Sequence, residues 1–260
     1  MTLLLKTVVC MVCLLSVAPT YANQHTTPSY CYFVPPQGWE IADPKSLSPR
    51  VKAAFLKKTS TGFCPSMNLA VEETSVSLQE YLKAVKAIHE QDRANRWRQL
   101  GKVRTQAGLA QLTEIDSKTE WGAVRILQLI LVKEERAYVL TASALKEEFS
   151  DYYQEIQSAF RSLVLSSDLF GNIPQTEKRE MLKSKQQQLL LAAEEAFKAM
   201  PEGQNPLKDP KFQEKHWLPF QQTVIGGFTD MGVFWQALFL SSTQNQLQDQ
   251  LQSLTQEQPR

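Results

Sequence analysis

The chain has 260 residues, of which 43% are hydrophobic and 21% charged, and its formal net charge is +1. That composition excludes a disordered tail, a collagen-like repeat and a polytopic membrane protein, and the near-zero charge gives no electrostatic case for nucleic acid. Three histidines and four cysteines leave little material for metal or acid–base chemistry.

Residues 1–22 carry one lysine, Lys6, then an apolar run from Thr7 to Val17, then Pro19 and Thr20-Tyr21-Ala22. This is the layout of a secretory signal peptide cut after Ala22. An uncleaved anchor is the alternative, but the run is shorter than the roughly 20 residues that span a bilayer comfortably. Cys10 and Cys13 lie inside the run and leave with it, and Val9 and Val12 before them do not suit a lipoprotein cut. Cleavage leaves basic and acidic residues equal in number, and only Cys31 and Cys64. Two cysteines in an exported chain suggest one disulfide, closing a loop of about 33 residues and worth roughly 3–4 kcal/mol on the chain-entropy argument. Two free thiols are the alternative.

Residues 23–30 read as a flexible leader. Cys31-Tyr32-Phe33-Val34 is a short strand stopped by Pro35-Pro36; a weak strand pattern follows at 53–58 and a better alternation at 67–72, with Met67, Leu69 and Val71 on one face. Ser77 and Glu80 form a capping box ahead of a helix over 78–94, whose stripe is Leu78, Tyr81, Leu82, Val85 and Ile88. Strands are expected at 97–105, 108–116, 121–132 and 137–143, as an antiparallel meander with the doubly apolar 121–132 run at the sheet centre. A helix over 145–163 closes the domain. The order implies an α+β domain over 31–165, an antiparallel sheet with two helices covering one face. A hinge over 166–175 leads to a C-terminal α-helical extension over 176–240, beginning with a helix at 176–200. Residues 241–260 read as a polar, Gln-rich tail, a frayed helix or disordered.

Trp217–Leu240 is apolar and lacks Lys and Arg. Three readings compete. A membrane span carries the cost of Asp230 near its centre. A buried helix would place Leu218, Ile225, Phe228, Gly232, Trp235 and Phe239 at helical spacing, with Gly226, Gly227 and Gly232 allowing close approach. A docking surface for a partner or a membrane would use Phe220, Phe228, Phe234, Trp235 and Phe239.

No P-loop, G-x-G-x-x-G, H-E-x-x-H or G-x-S-x-G motif is present. His25, His89 and His216 fall in different elements, and no ligand spacing suits a metal, so neither a catalytic residue nor a cofactor is expected. Arg93, Arg96, Arg98 and Arg104 cluster around Trp97 as an anion-patch candidate, against the plainer reading of a solvated helix end and strand edge.

Phe33, followed by Pro36-Gln37-Gly38-Trp39, resembles the opening of the PsbP/Mog1-like fold, which includes the DcrB-like bacterial envelope proteins. The similarity continues in order through Met67-Asn68-Leu69-Ala70-Val71, the helix at Leu78-Gln79-Glu80-Tyr81-Leu82, the meander with Ala137-Tyr138-Val139-Leu140-Thr141-Ala142, and Ser158-Ala159-Phe160-Arg161-Ser162-Leu163. It covers roughly residues 30–165. The resemblance implies a non-enzymatic exported or binding module; no family metal or partner site maps residue by residue. The expectation is an exported binding or assembly protein of the bacterial envelope, periplasmic, envelope-associated or secreted, meeting a protein partner or a membrane surface. The alternative is a small-ligand binder or enzyme with a pocket between the sheet and the C-terminal helices.

Overall fold

The computed structural model describes residues 30–60, 62–201 and 204–257. The expected signal peptide and the leader up to residue 29 lie outside the described residues. Two compact units are present, one running from Cys31 to Leu165 and one from Ser166 onward, with Tyr30 grouped with the second.

The first unit is α+β. Its strands are β1 (Tyr30–Tyr32), β2 (Glu40–Ile41), β3 (Val51–Leu56), β4 (Ser66–Glu73), β5 (Arg96–Thr105), β6 (Gly108–Thr119), β7 (Gly122–Lys133), β8 (Arg136–Leu145) and β9 (Val164–Ser166). Seven of them form an antiparallel sheet in the order β2-β3-β4-β8-β7-β6-β5, while β1 pairs separately with β9. The centre falls on β8, one strand over from the expected 121–132 run. The β7–β8 connection is a two-residue turn in which Glu134 and Glu135 both have positive φ, the hairpin geometry whose twist matches the flanking strands.

Helix α1 (Leu78–Glu90) begins with the expected capping box: Ser77 Oγ accepts from the Glu80 amide, and a Glu80 carboxylate oxygen accepts from the Ser77 amide. Its Tyr81 and Leu82 pack with Ala54, Ala70, Ile130 and Val139. Strand alternation sends Phe55, Met67, Leu69, Leu129 and Leu140 to the other face, where all five are fully buried. Helix α2 (Phe149–Arg161) covers that other face. Its Phe149 ring lies 5.9 Å from the Arg125 guanidinium, and Arg125 points away from Val124 and Ile126. The helices therefore take one face each, not a shared face, because central strands apolar on both sides need a layer on each. Helix α2 also starts later than expected, since β8 runs on to Leu145.

The second unit is helical: α3 (Thr176–Ala199), a short turn α4 (Pro210–Phe212) running through a π-turn into α5 (Leu218–Gly227), and α6 (Gly232–Glu257). The 166–175 segment is tied rather than loose. Asp168 Oδ1 and Oδ2 accept from the Phe170 and Gly171 amides, and Leu169 and Ile173 are buried. The expected continuous helix over 217–240 is broken between α5 and α6, with a 66° bend. Gly232 has φ +81, a conformation that a side chain makes costly, and it opens α6. Gln236 Nε2 donates to the carbonyls of Ile225 and Phe228, each at 3.0 Å, so it satisfies the broken end of α5. The expected polar tail is helical as well. Thr243, Leu247 and Leu251 recur every four residues on α6 and are buried.

Candidate functional site

At one end of the sheet, the β6–β7 turn and the β8–α2 turn border an open cleft of about 310 Å³, lined by Trp121, Gly122, Ala123, Leu145, Lys146 and Glu147. The main chain fixes its floor: the Lys146 amide donates to the Ala123 carbonyl at 2.8 Å. Gly122 has φ +117, which suits the tight turn that presents Trp121. The half-buried Trp121 ring packs on Phe63 at 6.1 Å, and Phe63, Val124 and Leu145 form a small apolar cluster beneath it. Lys146 and Glu147 are exposed. An apolar centre with a charged rim is the anatomy of a contact site that takes one partner side chain.

An ion-pair cluster on the opposite face of the sheet anchors Lys146. Lys146 Nζ lies 2.8 Å from Asp116, Arg125 Nε lies 2.8 Å from Asp116 and 3.3 Å from Glu114, and Arg98 pairs closely with Glu114. The Arg125 hydrogen bonds hold the Asp116 carboxyl at about 2, below its ordinary 3.8, with Lys146 adding to the effect and burial opposing it. A carboxyl depressed on folding stabilises above its unfolded value and loses that contribution as pH falls through the folded one. Replacing Asp116 with Asn is therefore expected to cost about 1 kcal/mol near neutral pH, after solvent screening. The cost should vanish between about pH 4 and pH 2. Urea midpoints of the two chains across that range check this.

On the α1 face, Asn68, Thr141, Gln128 and Thr113 are direct cross-strand neighbours on β4, β8, β7 and β6. A polar row thus crosses the interior. Among the described residues Asn68 Oδ1 and Thr141 Oγ1 have no hydrogen-bond partner, while the Gln128 and His89 side chains hydrogen-bond to each other. His89, on the last turn of α1, is buried beside Gln128, and Asn95 donates to its carbonyl at 3.4 Å. Burial pulls the His89 imidazole below its ordinary range, with Gln128 pulling the other way.

The residues singled out in the sequence have these places. Cys31 is buried in β1 and Cys64 is exposed after β3; both are free thiols, so the expected disulfide gives way to two separated cysteines, and burial pushes the Cys31 thiol up. Phe220, Phe228, Phe234, Trp235 and Phe239 are all buried inside the helical unit, so the expected aromatic docking surface is replaced by packing. Trp235 stacks on Phe239 at 5.1 Å, and Phe170 meets Phe239 edge-on at 5.1 Å. Leu218 and Ile225 are exposed instead, and Gly226 and Gly227 face open space, so these two glycines serve no close approach. Among the described residues no single helix is long and apolar enough to cross a membrane; the bent pair Pro210–Gly227 and Thr229–Gln256 passes by length and composition only. Arg98 is taken by Glu114 and Asp116, which removes it from the expected anion patch. Arg93, Arg96 and Arg104 are exposed. Neither the cleft nor the polar row has a motif at sequence level. The lone signals were Trp121 before a glycine and polar residues recurring inside strands.

No protein-family model matches the sequence, and no curated protein matches it. Solved structures similar to the chain include LpqN of Mycobacterium tuberculosis, described as involved in cell envelope biogenesis, at 10% identity over 54% of this chain and 85% of that one, TM-score 0.41. The cyanobacterial PsbP of Synechocystis is similar at 12% identity over 57% and 98%, TM-score 0.37. The Ran-binding protein Mog1p of Saccharomyces cerevisiae is similar at 16% identity over 54% and 96%, TM-score 0.36. PsbP and Mog1 are the two proteins that name the fold the sequence resembles.

Proposed function

We propose that this chain is an exported, non-enzymatic binding protein of the cell envelope, and that its first unit holds a partner protein at the Trp121 cleft. The cleft itself carries the reading. A half-buried tryptophan, fixed by a glycine turn and backed by Phe63, shares the cleft with Glu147 and with Lys146, which an ion pair ties to Asp116. Aromatic side chains in such settings dominate contact energies. The layout of residues 1–22 supports export.

Replacing Trp121 with alanine tests the reading. A contact residue of this kind is worth about 2 kcal/mol or more, which is roughly a 30-fold loss of affinity. Co-sedimentation of the mature chain with envelopes of its own host, over a concentration series, should show half-saturation moving by about that factor while circular dichroism stays unchanged. Unchanged half-saturation would remove the cleft from the binding surface.

A further inference from the structure

We propose that the outer edge of β5 takes an acidic, extended segment of a partner protein as an eighth strand of the sheet. The site is separate from the Trp121 cleft and does not rest on it. β5 stands last in the sheet order, and among the described residues no strand pairs with its outer side. It runs for ten residues, Arg96–Thr105, whereas β2 at the opposite edge has two. About half the N–H and C=O groups of an edge strand point away from the sheet, so β5 offers a ladder to another chain. That ladder is held at two points. In the turn after β5, the Gln106 and Ala107 amides donate to the Arg161 and Leu163 carbonyls at 3.2 and 2.8 Å. At the β-bulge between Gln99 and Gly101, Gln111 Nε2 donates to the Gly101 carbonyl. An edge fixed beforehand has little to lose in ordering when a strand is added.

Charge selects the occupant. From Arg93 to Thr113 the chain holds five cations and no Asp or Glu. Arg98 is taken by Glu114 and Asp116, but Arg93, Arg96, Lys102 and Arg104 are exposed and make no ion pair among the described residues. Lys102 and Arg104 are two residues apart, so both stand on one face of β5, level with Gln111 and Leu109 of β6. A strand laid along the outer edge meets them with carboxylates at the same spacing, an acidic residue at every second position. Leu100, 50% exposed at the bulge, adds apolar surface. Cations and a bulge on an edge keep like edges away. A second copy of β5 would set cations against cations, which is unfavourable, while a strand of opposite charge is attracted. An anionic lipid surface would also answer the charge, but headgroups present no backbone to pair with the open ladder.

The test uses the whole mature chain labelled with nitrogen-15 and a synthetic peptide with blocked ends, Ser-Glu-Val-Glu-Val-Glu-Ser. Titration should shift the β5 amide signals saturably, with half-saturation on the order of 100 µM at low salt. Raising sodium chloride from about 0.05 M to about 0.5 M should weaken binding severalfold. Lys102→Glu combined with Arg104→Glu should weaken it about tenfold or more. Both side chains are exposed, so circular dichroism should show the fold unchanged. The same peptide with its Glu-Val core N-methylated keeps its charge and loses its backbone donors, and should also bind about tenfold more weakly or not at all. Trp121→Ala should titrate as the native chain, which separates this edge from the partner cleft. The absence of a saturable shift in β5 overturns the proposal, as does equal binding by the charge-reversed chain or by the N-methylated peptide. Loss of the titration in Trp121→Ala overturns it too, because the peptide then sits in the cleft. Sedimentation with phosphatidylglycerol vesicles in place of peptide binding assigns the cations to lipid, and a mass that rises with concentration in the absence of peptide assigns the edge to a second copy; either result overturns it.

Discussion

Replacing Trp235 with alanine is expected to destabilise the helical unit by about 3–5 kcal/mol. Trp235 is fully buried, and its ring meets Phe228 at 5.7 Å and stacks on Phe239 at 5.1 Å. Its indole N–H donates to the Leu169 carbonyl at 3.3 Å. The substitution removes the largest side chain of that core and leaves a cavity that the neighbouring rings cannot close without leaving their own packing. It also strands the Leu169 carbonyl. Trp235→Phe separates the two losses, since it keeps a ring and drops only the hydrogen bond, at about 1 kcal/mol. Urea denaturation followed by far-ultraviolet circular dichroism should show the alanine chain losing helix at a much lower midpoint, with the phenylalanine chain between the two. If the alanine midpoint equals the native one, these aromatics do not form the interior described here.

The second large effect lies in the sheet. Leu140 on the central strand β8 faces Leu69 on β4 and Leu129 on β7, and all three are fully buried. Leu140→Ala should cost about 2–5 kcal/mol, the spread depending on how far the three strands can collapse. Hydrogen bonding fixes their spacing, so little collapse is available and the upper part of the range is expected. An unchanged slope with a lowered urea midpoint is the signature of lost packing. By contrast, Leu109 is 51% exposed at the start of β6, and alanine there should move the midpoint little.

These two sites also mark where sequence reasoning succeeded and where it stopped. Helix α1 was legible because its start depends on Ser77 and Glu80 alone, three residues apart. The meander was legible because alternation and turns are local. The side of the sheet each helix takes was not, since it depends on which faces of β4, β7 and β8 need cover. The break at Gly232 escaped because apolar spacing continues across it; only the folded chain shows Gln236 closing the end of α5. Arg98 read as free because its partner Glu114 sits across a hairpin, reached through register. The polar row escaped for the same reason. Asn68, Gln128 and Thr141 are isolated polar residues in apolar strands until strand pairing sets them side by side. The cysteines misled because counting two thiols says nothing of where each lies.

Site-specific photocrosslinking in living host cells tests the central claim most directly. A photoreactive residue placed at Glu147, on the cleft rim, is compared with one at the exposed Lys83 on α1, in the exported chain. A discrete protein adduct from position 147, absent from position 83 and lost when Trp121→Ala is added, is the predicted result. Adducts from position 83 with none from 147, or a chain recovered only as uncut precursor in the cytosol, would contradict it.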